Sequence, residues 1–129
     1  MTHPIVTLQA ALVAALQADP ALAGVGVFDA PLRDAAPPYL AIARHDLVPR
    51  DGDAAPGWEH RLALHAWAAG PSRTAALALA ERVLAVAEGL AITGLAVTHW
   101  RHERTETAID AETGRARALV ALRFFTEAG

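Results

Sequence analysis

The sequence predicts an α+β domain: a mostly antiparallel sheet of four to five strands with two helices packed on one face, in the order α-β-β-β-α-β-β. Three observations carry this reading. Two Ala/Leu-rich segments repeat apolar residues at three- and four-residue spacing, which is a helical stripe. The remaining regular segments are short and alternate with period two, as half-buried strands do. Their sequence along the chain is helix, two or three strands, helix, two strands, which suits a sheet with its helices gathered on one side. The 129 residues are enough for one domain, read as spanning 1–129. With 53% hydrophobic and 19% charged residues, intrinsic disorder is excluded.

Each element has a local reason. From Pro4 to about Ala18, Ile5, Leu8, Leu12, Ala15 and Leu16 form one stripe; Thr2 or His3 precedes Pro4 as a start signal, and Asp19-Pro20 ends the helix. Val25 to Phe28 is a short strand. Ala30 to Pro38, with three prolines beside Arg33 and Asp34, is a loop. Tyr39 to His45 is a strand with Tyr39, Ala41 and Ala43 on one face and Leu40, Ile42 and Arg44 on the other. Residues 46–57 are rich in Pro, Gly and Asp and read as a mobile loop. Trp58 to Trp67 is the strongest strand: His60, Leu62, Leu64 and Ala66 share one face, and Glu59, Arg61, Ala63, His65 and Trp67 share the other. Ser72 caps a helix from Arg73 to about Glu88. Its stripe is Leu77, Ala80, Leu84 and Ala87, widened by Ala76, Leu79, Val83 and Val86, with Arg73, Glu81 and Glu88 opposite and Gly89 at its end. Leu95 to Thr107 and Arg115 to Phe125 form a hairpin about Asp110–Gly114, where Gly114 supplies a positive φ; Ala118, Val120, Leu122 and Phe124 share a face.

Composition removes whole classes of chemistry. There is no Cys, so no disulfide, thiol nucleophile or thiolate metal site is available. All 11 basic residues are Arg; without Lys there is no Schiff-base or P-loop lysine. A net charge of −3 argues against a general nucleic-acid coat. His60/His65 and His99/His102 sit at spacings that place each pair on opposite faces of a strand, so no metal site is expected, and the histidines read as surface or half-buried sheet residues. Asp46, Asp51 and Asp53 lack the spacing and the bidentate Glu of a calcium loop. Ser72 has no nucleophile elbow, and Gly24-Val25-Gly26 is too short for a dinucleotide fingerprint. No catalytic, cofactor-binding or metal-binding residues are assigned, and the chain is not expected to be an enzyme. The apolar run Ile5–Leu16 is too short to span a bilayer. The start Met1-Thr2-His3-Pro4 lacks the basic stretch of a secretory signal.

The aromatic residues say more. Trp67 shares a strand face with Glu59, Arg61 and His65, and Phe125 shares one with Arg117 and Arg123. A sheet face that mixes aromatics with Arg has the composition of a protein–protein interface. Arg101, Glu103, Arg104 and Glu106 read as cross-strand charge pairs on a wet face. The candidate interface residues are Arg50, Asp51 and Asp53 in the loop, with Arg61, Trp67, Arg123 and Phe125 on the sheet.

Taken in order, the helix "LQAALVAALQADPAL", the stretch "GVFDAPLRDAAPPYLAI", the strand "HRLALHAWAAGPSR" running into an Ala-rich helix, and the hairpin ending "ALVALRFFTE" resemble the tail-terminator (tail-completion) proteins of long-tailed phages and gene transfer agents. The most specific pieces are Pro37–Leu40, Leu62–Trp67 and Leu122–Glu127. The resemblance implies a structural subunit without bond chemistry. It implies a homohexameric ring that caps the tail tube, ends its growth and meets a head-side connector or stopper protein, with DNA passing through the lumen only as cargo. It also implies no membrane partner, assembly in the host cytoplasm, and a final place in the neck of a particle. Six copies at −3 carry about −18, a sign that repels phosphate and lets DNA slide. Another neck component, a connector or stopper, is the nearest alternative reading; a small-molecule-binding α+β domain is the more distant one.

Overall fold

In a computed structural model the chain is described over residues 2–51 and 56–129. The elements run α1 (Pro4–Gln17), a 3-10 turn (Pro20–Leu22), β1 (Gly26–Phe28), β2 (Tyr39–Pro49), β3 (Gly57–Trp67), α2 (Arg73–Glu88), β4 (Leu95–Ile109) and β5 (Ala116–Ala128). The five strands form one sheet in the order β1-β2-β3-β5-β4. Only β1 and β2 pair in parallel; every other pair is antiparallel. This is the α+β architecture that the sequence predicts.

Both helices start on side-chain caps. The His3 ring accepts from the Ile5 N–H ahead of Pro4, and Ser72 Oγ accepts from the Ala75 N–H at 3.1 Å. Leu8, Leu12 and Leu16 of α1 and Ala76, Ala80, Val83 and Ala87 of α2 are buried against one sheet face. That face supplies Leu40 and Ile42 from β2, Leu62, Leu64 and Ala66 from β3, and Ala118, Val120, Leu122 and Phe124 from β5. Each fully buried Leu, Val or Phe contributes about 1.5–3 kcal/mol of transfer free energy, so this layer dominates stability. A side link adds to it: Arg82 on α2 grips Asp19 through two hydrogen bonds of 2.8 and 3.1 Å, while Asp19 also caps the 3-10 turn.

Gly89 ends α2 as expected, as its C-cap with φ −100°. Three local expectations need correction. The stripe of α2 centres on Ala76, Ala80, Val83 and Ala87, and Leu77 is exposed. The segment read as a loop over 46–57 begins as strand: Asp46, Leu47, Val48 and Pro49 pair with Arg61, His60, Glu59 and Trp58, and the Arg50 N–H bonds the Gly57 carbonyl at 2.7 Å. Asp51 is exposed just beyond; residues 52–55, including Asp53, lie outside the described residues. Finally, β2 carries a bulge between Ile42 and Arg44. The extra residue shifts the alternation, so Arg44 joins Tyr39 and Ala41 on the helix-free face and His45 turns under α1.

Candidate interaction surface

Among the described residues no helix covers the second face of the sheet, and strand register lays its residues out in rows across β2, β3, β5 and β4. The first row is Tyr39, Trp67, Arg117, Ala108, and the next is Ala41, His65, Leu119, Glu106. The middle row is Arg44, Ala63, Ala121, Arg104. Then come Asp46, Arg61, Arg123, Arg101, and after them Val48, Glu59, Phe125, His99. With Arg50 beside it, this face holds seven of the 11 arginines, against Asp46, Glu59, Glu103, Glu106 and Glu127. It therefore has a two-charge positive excess in a chain of net charge −3.

Three features organise the surface. The first is a carboxylate buried under guanidinium groups. Glu59 is 2% exposed; it accepts from Arg61 Nε at 2.6 Å and from Arg50 Nε at 3.1 Å, and lies 3.4 Å from an Arg123 terminal nitrogen. The Arg61 hydrogen bond is the largest influence holding its carboxyl below the usual range, against burial. Arg123 Nε also meets Glu103 at 2.5 Å, which links the β3–β5 pair to β4. The second feature is an aromatic run at one end. Phe28 meets Tyr39 at 5.9 Å, Tyr39 stacks on Trp67 at 6.5 Å, and the Arg117 guanidinium sits 5.9 Å over the Trp67 ring. The third is the middle row. Two alanines between two arginines leave a depression of about 270 Å³, lined by Arg44, Arg61, Arg104 and Arg123 with Asp46 and Glu103.

The structure brings Arg50, Arg61 and Arg123 together on Glu59, with Phe125 its register partner and packed on His99. Trp67 shares the face but stands eight residues along β3 from Glu59, about 26 Å away at strand rise. Glu59, the hub, was legible only as a member of the face; what marks it is that Arg50, just past β2, and Arg123 of β5 join Arg61 of its own strand upon it, which needs the pairings. The charge pairs expected across strands form mostly within β4 instead, as Arg104–Glu106 at 3.3 Å and Arg101–Glu103 at 3.6 Å; among the described residues Glu103 alone of these also reaches across, to Arg123 of β5.

On the covered face lies a polar chain that strand periodicity missed. The Gln9 amide nitrogen is 3.2 Å from His45 Nδ1, His45 Nε2 is 2.8 Å from His60 Nδ1, and His60 Nε2 is 2.9 Å from Thr126 Oγ1. His60 is fully buried, contrary to the surface or half-buried expectation. Among the described residues, no group of three or more His, Cys, Asp or Glu is placed to hold a metal ion. Nor is any helix long and apolar enough to cross a membrane.

The sequence matches the family described as "Tail completion protein gp17" over residues 10–127. Among solved structures, a chain of the "Virion of native gene transfer agent (GTA) particle" has the same fold: TM-score 0.80, 21% sequence identity, 98% of this chain and 99% of that chain covered. Comparison with curated protein sequences finds no match.

Proposed function

The chain belongs to the tail completion protein gp17 family, structural proteins of phage-type tails, and from that premise we propose that it forms a homohexameric ring that caps the tail tube. The ring ends tube growth, presents its other side to a head-side connector or stopper protein, and lets DNA pass through its lumen. It assembles in the host cytoplasm and remains in the neck of the particle. The observation that carries this reading is the family match across residues 10–127, nearly the whole chain. The likeness to a chain within a gene transfer agent virion supports it at the level of fold. The helix-free sheet face supports it physically: arginines, Trp67 and Phe125 are the residue types that anchor protein contacts, and they lie on a surface the fold leaves open. Arg50, Arg61, Trp67, Arg123 and Phe125 are the sheet residues assigned to those contacts, with Asp51 and Asp53 of the adjoining β2–β3 connection.

The test is a reconstruction of the neck in particles assembled with this chain. A sixfold layer of this subunit between tube and connector is expected. A layer of any other symmetry, or particles without the chain, overturns the proposal.

A further inference from the structure

The helix-free face has a depression, and the chain carries an exposed loop whose chemistry suits it. Across the middle row, Ala63 and Ala121 form the floor of the depression while Arg44, Arg61, Arg104 and Arg123 stand around it. Two carboxylates, Asp46 and Glu103, share that rim, and Glu59 and Glu106 pair with Arg61 and Arg104 beside it; the positive excess belongs to the helix-free face as a whole. An apolar floor ringed by guanidinium groups, on a face of positive excess, suits an apolar side chain flanked by carboxylates.

The connection between β1 and β2, residues 29–38, offers that chemistry. Leu32 is 47% exposed in it, one of three large exposed apolar side chains among the described residues. Asp29 and Asp34 flank it with Arg33, giving two carboxylates to one guanidinium. Among the described residues none of these three charges takes part in an ion pair within the chain. The rim arginines, by contrast, each have a carboxylate partner, Asp46, Glu59, Glu103 or Glu106; the Arg61 and Arg123 pairs, on buried Glu59 and half-buried Glu103, are the least solvated.

We propose that the 29–38 loop of one copy docks in the Ala63/Ala121 depression of the next, with Leu32 on the alanine floor and Asp29 and Asp34 facing the rim arginines. The proposal rests on the self-assembling ring read above and names the contact that would build it. Loop and depression are different patches of the subunit, so one copy can offer its loop to one neighbour and its depression to another, a head-to-tail contact. Contacts of that kind close into rings when the rotation between neighbours allows.

The chain has no native cysteine, so engineered thiols report the contact cleanly. Purified Leu32→Cys is mixed with purified, mass-tagged Ala63→Cys at high concentration and oxidised. Mixed dimers are expected to exceed both like-with-like dimers several-fold, and adding Asp34→Arg to the Leu32→Cys chain should cut the mixed yield at least fivefold. Mixed dimers at or below the statistical share, or none, overturn the contact. The ring reading is judged separately from the neck reconstruction. A sixfold layer without mixed dimers removes the contact and leaves the ring, whereas mixed dimers with a layer of other symmetry keep the contact and remove the hexamer.

Discussion

At the scale of single residues, the buried histidine pair has the clearest consequence. Each link between Gln9, His45, His60 and Thr126 has room for one proton, so the rings pack as neutral imidazoles. Burial first, then the neighbouring His60, pushes His45 down to about 4, with Asp46 acting the other way. Burial first, then His3, pushes His60 down to about 4. An unfolded histidine titrates near 6.5, so above that pH neither state is charged and the pair costs nothing. As pH falls from 6.5 towards 4 the unfolded chain takes up protons that the folded chain refuses, and stability declines until both states are protonated. The loss by pH 4 should be on the order of 3 kcal/mol for the pair, since His45 is only partly buried. Chemical denaturation from pH 8 to 4 checks this; the double variant His45→Gln with His60→Gln should be less stable at pH 8 but show a flatter decline. An unchanged slope in that variant assigns the acid sensitivity elsewhere. The pair was not legible in the sequence because strict alternation puts His45 beside Tyr39 and Ala41, away from His60. One bulged residue between Ile42 and Arg44 reverses that, and no composition signal at Ala43 announces it.

At the scale of elements, both helices and the core faces of β3 and β5 were readable, because each is a long run with one period and a chemically marked end. What was misread is where β2 continues. Pro49 and the Gly- and Asp-rich run after it look like breakers, yet β1 covers only Tyr39–Ala41 of β2. Past that point β2 has an open edge, where a proline costs the ladder little. The return into β3 then depends on Gly57. A side chain there would press into the Arg50 carbonyl, next to the bond from the Arg50 N–H to the Gly57 carbonyl. Gly57→Ala should therefore cost about 1–3 kcal/mol as an overpacked site. Gly70→Ala, with open space around it, should stay within about 0.5 kcal/mol of the native chain. Thermal melts of the two variants decide it: equal melting temperatures would show that the hairpin gives way at Arg50 without cost. The β4–β5 turn is closed differently, by Gly114 at φ +71° and the Asp110 side chain bonding the Glu112 and Thr113 N–H groups. That motif was plain in the sequence because the glycine and the aspartate are both local signals.

At the scale of the whole molecule, one sheet serves two purposes. Its covered face holds the fold together through Leu62, Leu64, Val120, Leu122 and Phe124, and its open face gathers arginines, Trp67 and Phe125. The two-sided division was legible along β3 and β5, where alternation is unbroken. The positive excess of the open face was not, since a chain of net charge −3 gives no hint that seven arginines from four strands and their edge converge on one surface. If the division is real, neighbouring positions on β3 must fail in different ways. Leu64 is 1% exposed beneath the helices, so Leu64→Asp buries an unpaired carboxylate and should cost several kcal/mol, a large share of a small domain's stability. That variant should be found mainly in the insoluble fraction. Trp67 lies three residues on and faces the other way, stacked by Tyr39 and Arg117 at the rim of the sheet. Trp67→Ala gives up partial burial, about 1–2 kcal/mol, and should remain folded and soluble. Under the ring proposal its defect appears in assembly, as heads and tails left unjoined or tails of uncontrolled length. Melting curves of both variants, with images of particles assembled from each, separate the outcomes. A Trp67→Ala chain that unfolds like Leu64→Asp makes the aromatic run part of the fold's support. A chain that folds and also assembles normally moves the subunit contacts off that end of the sheet, towards the arginine-ringed middle row.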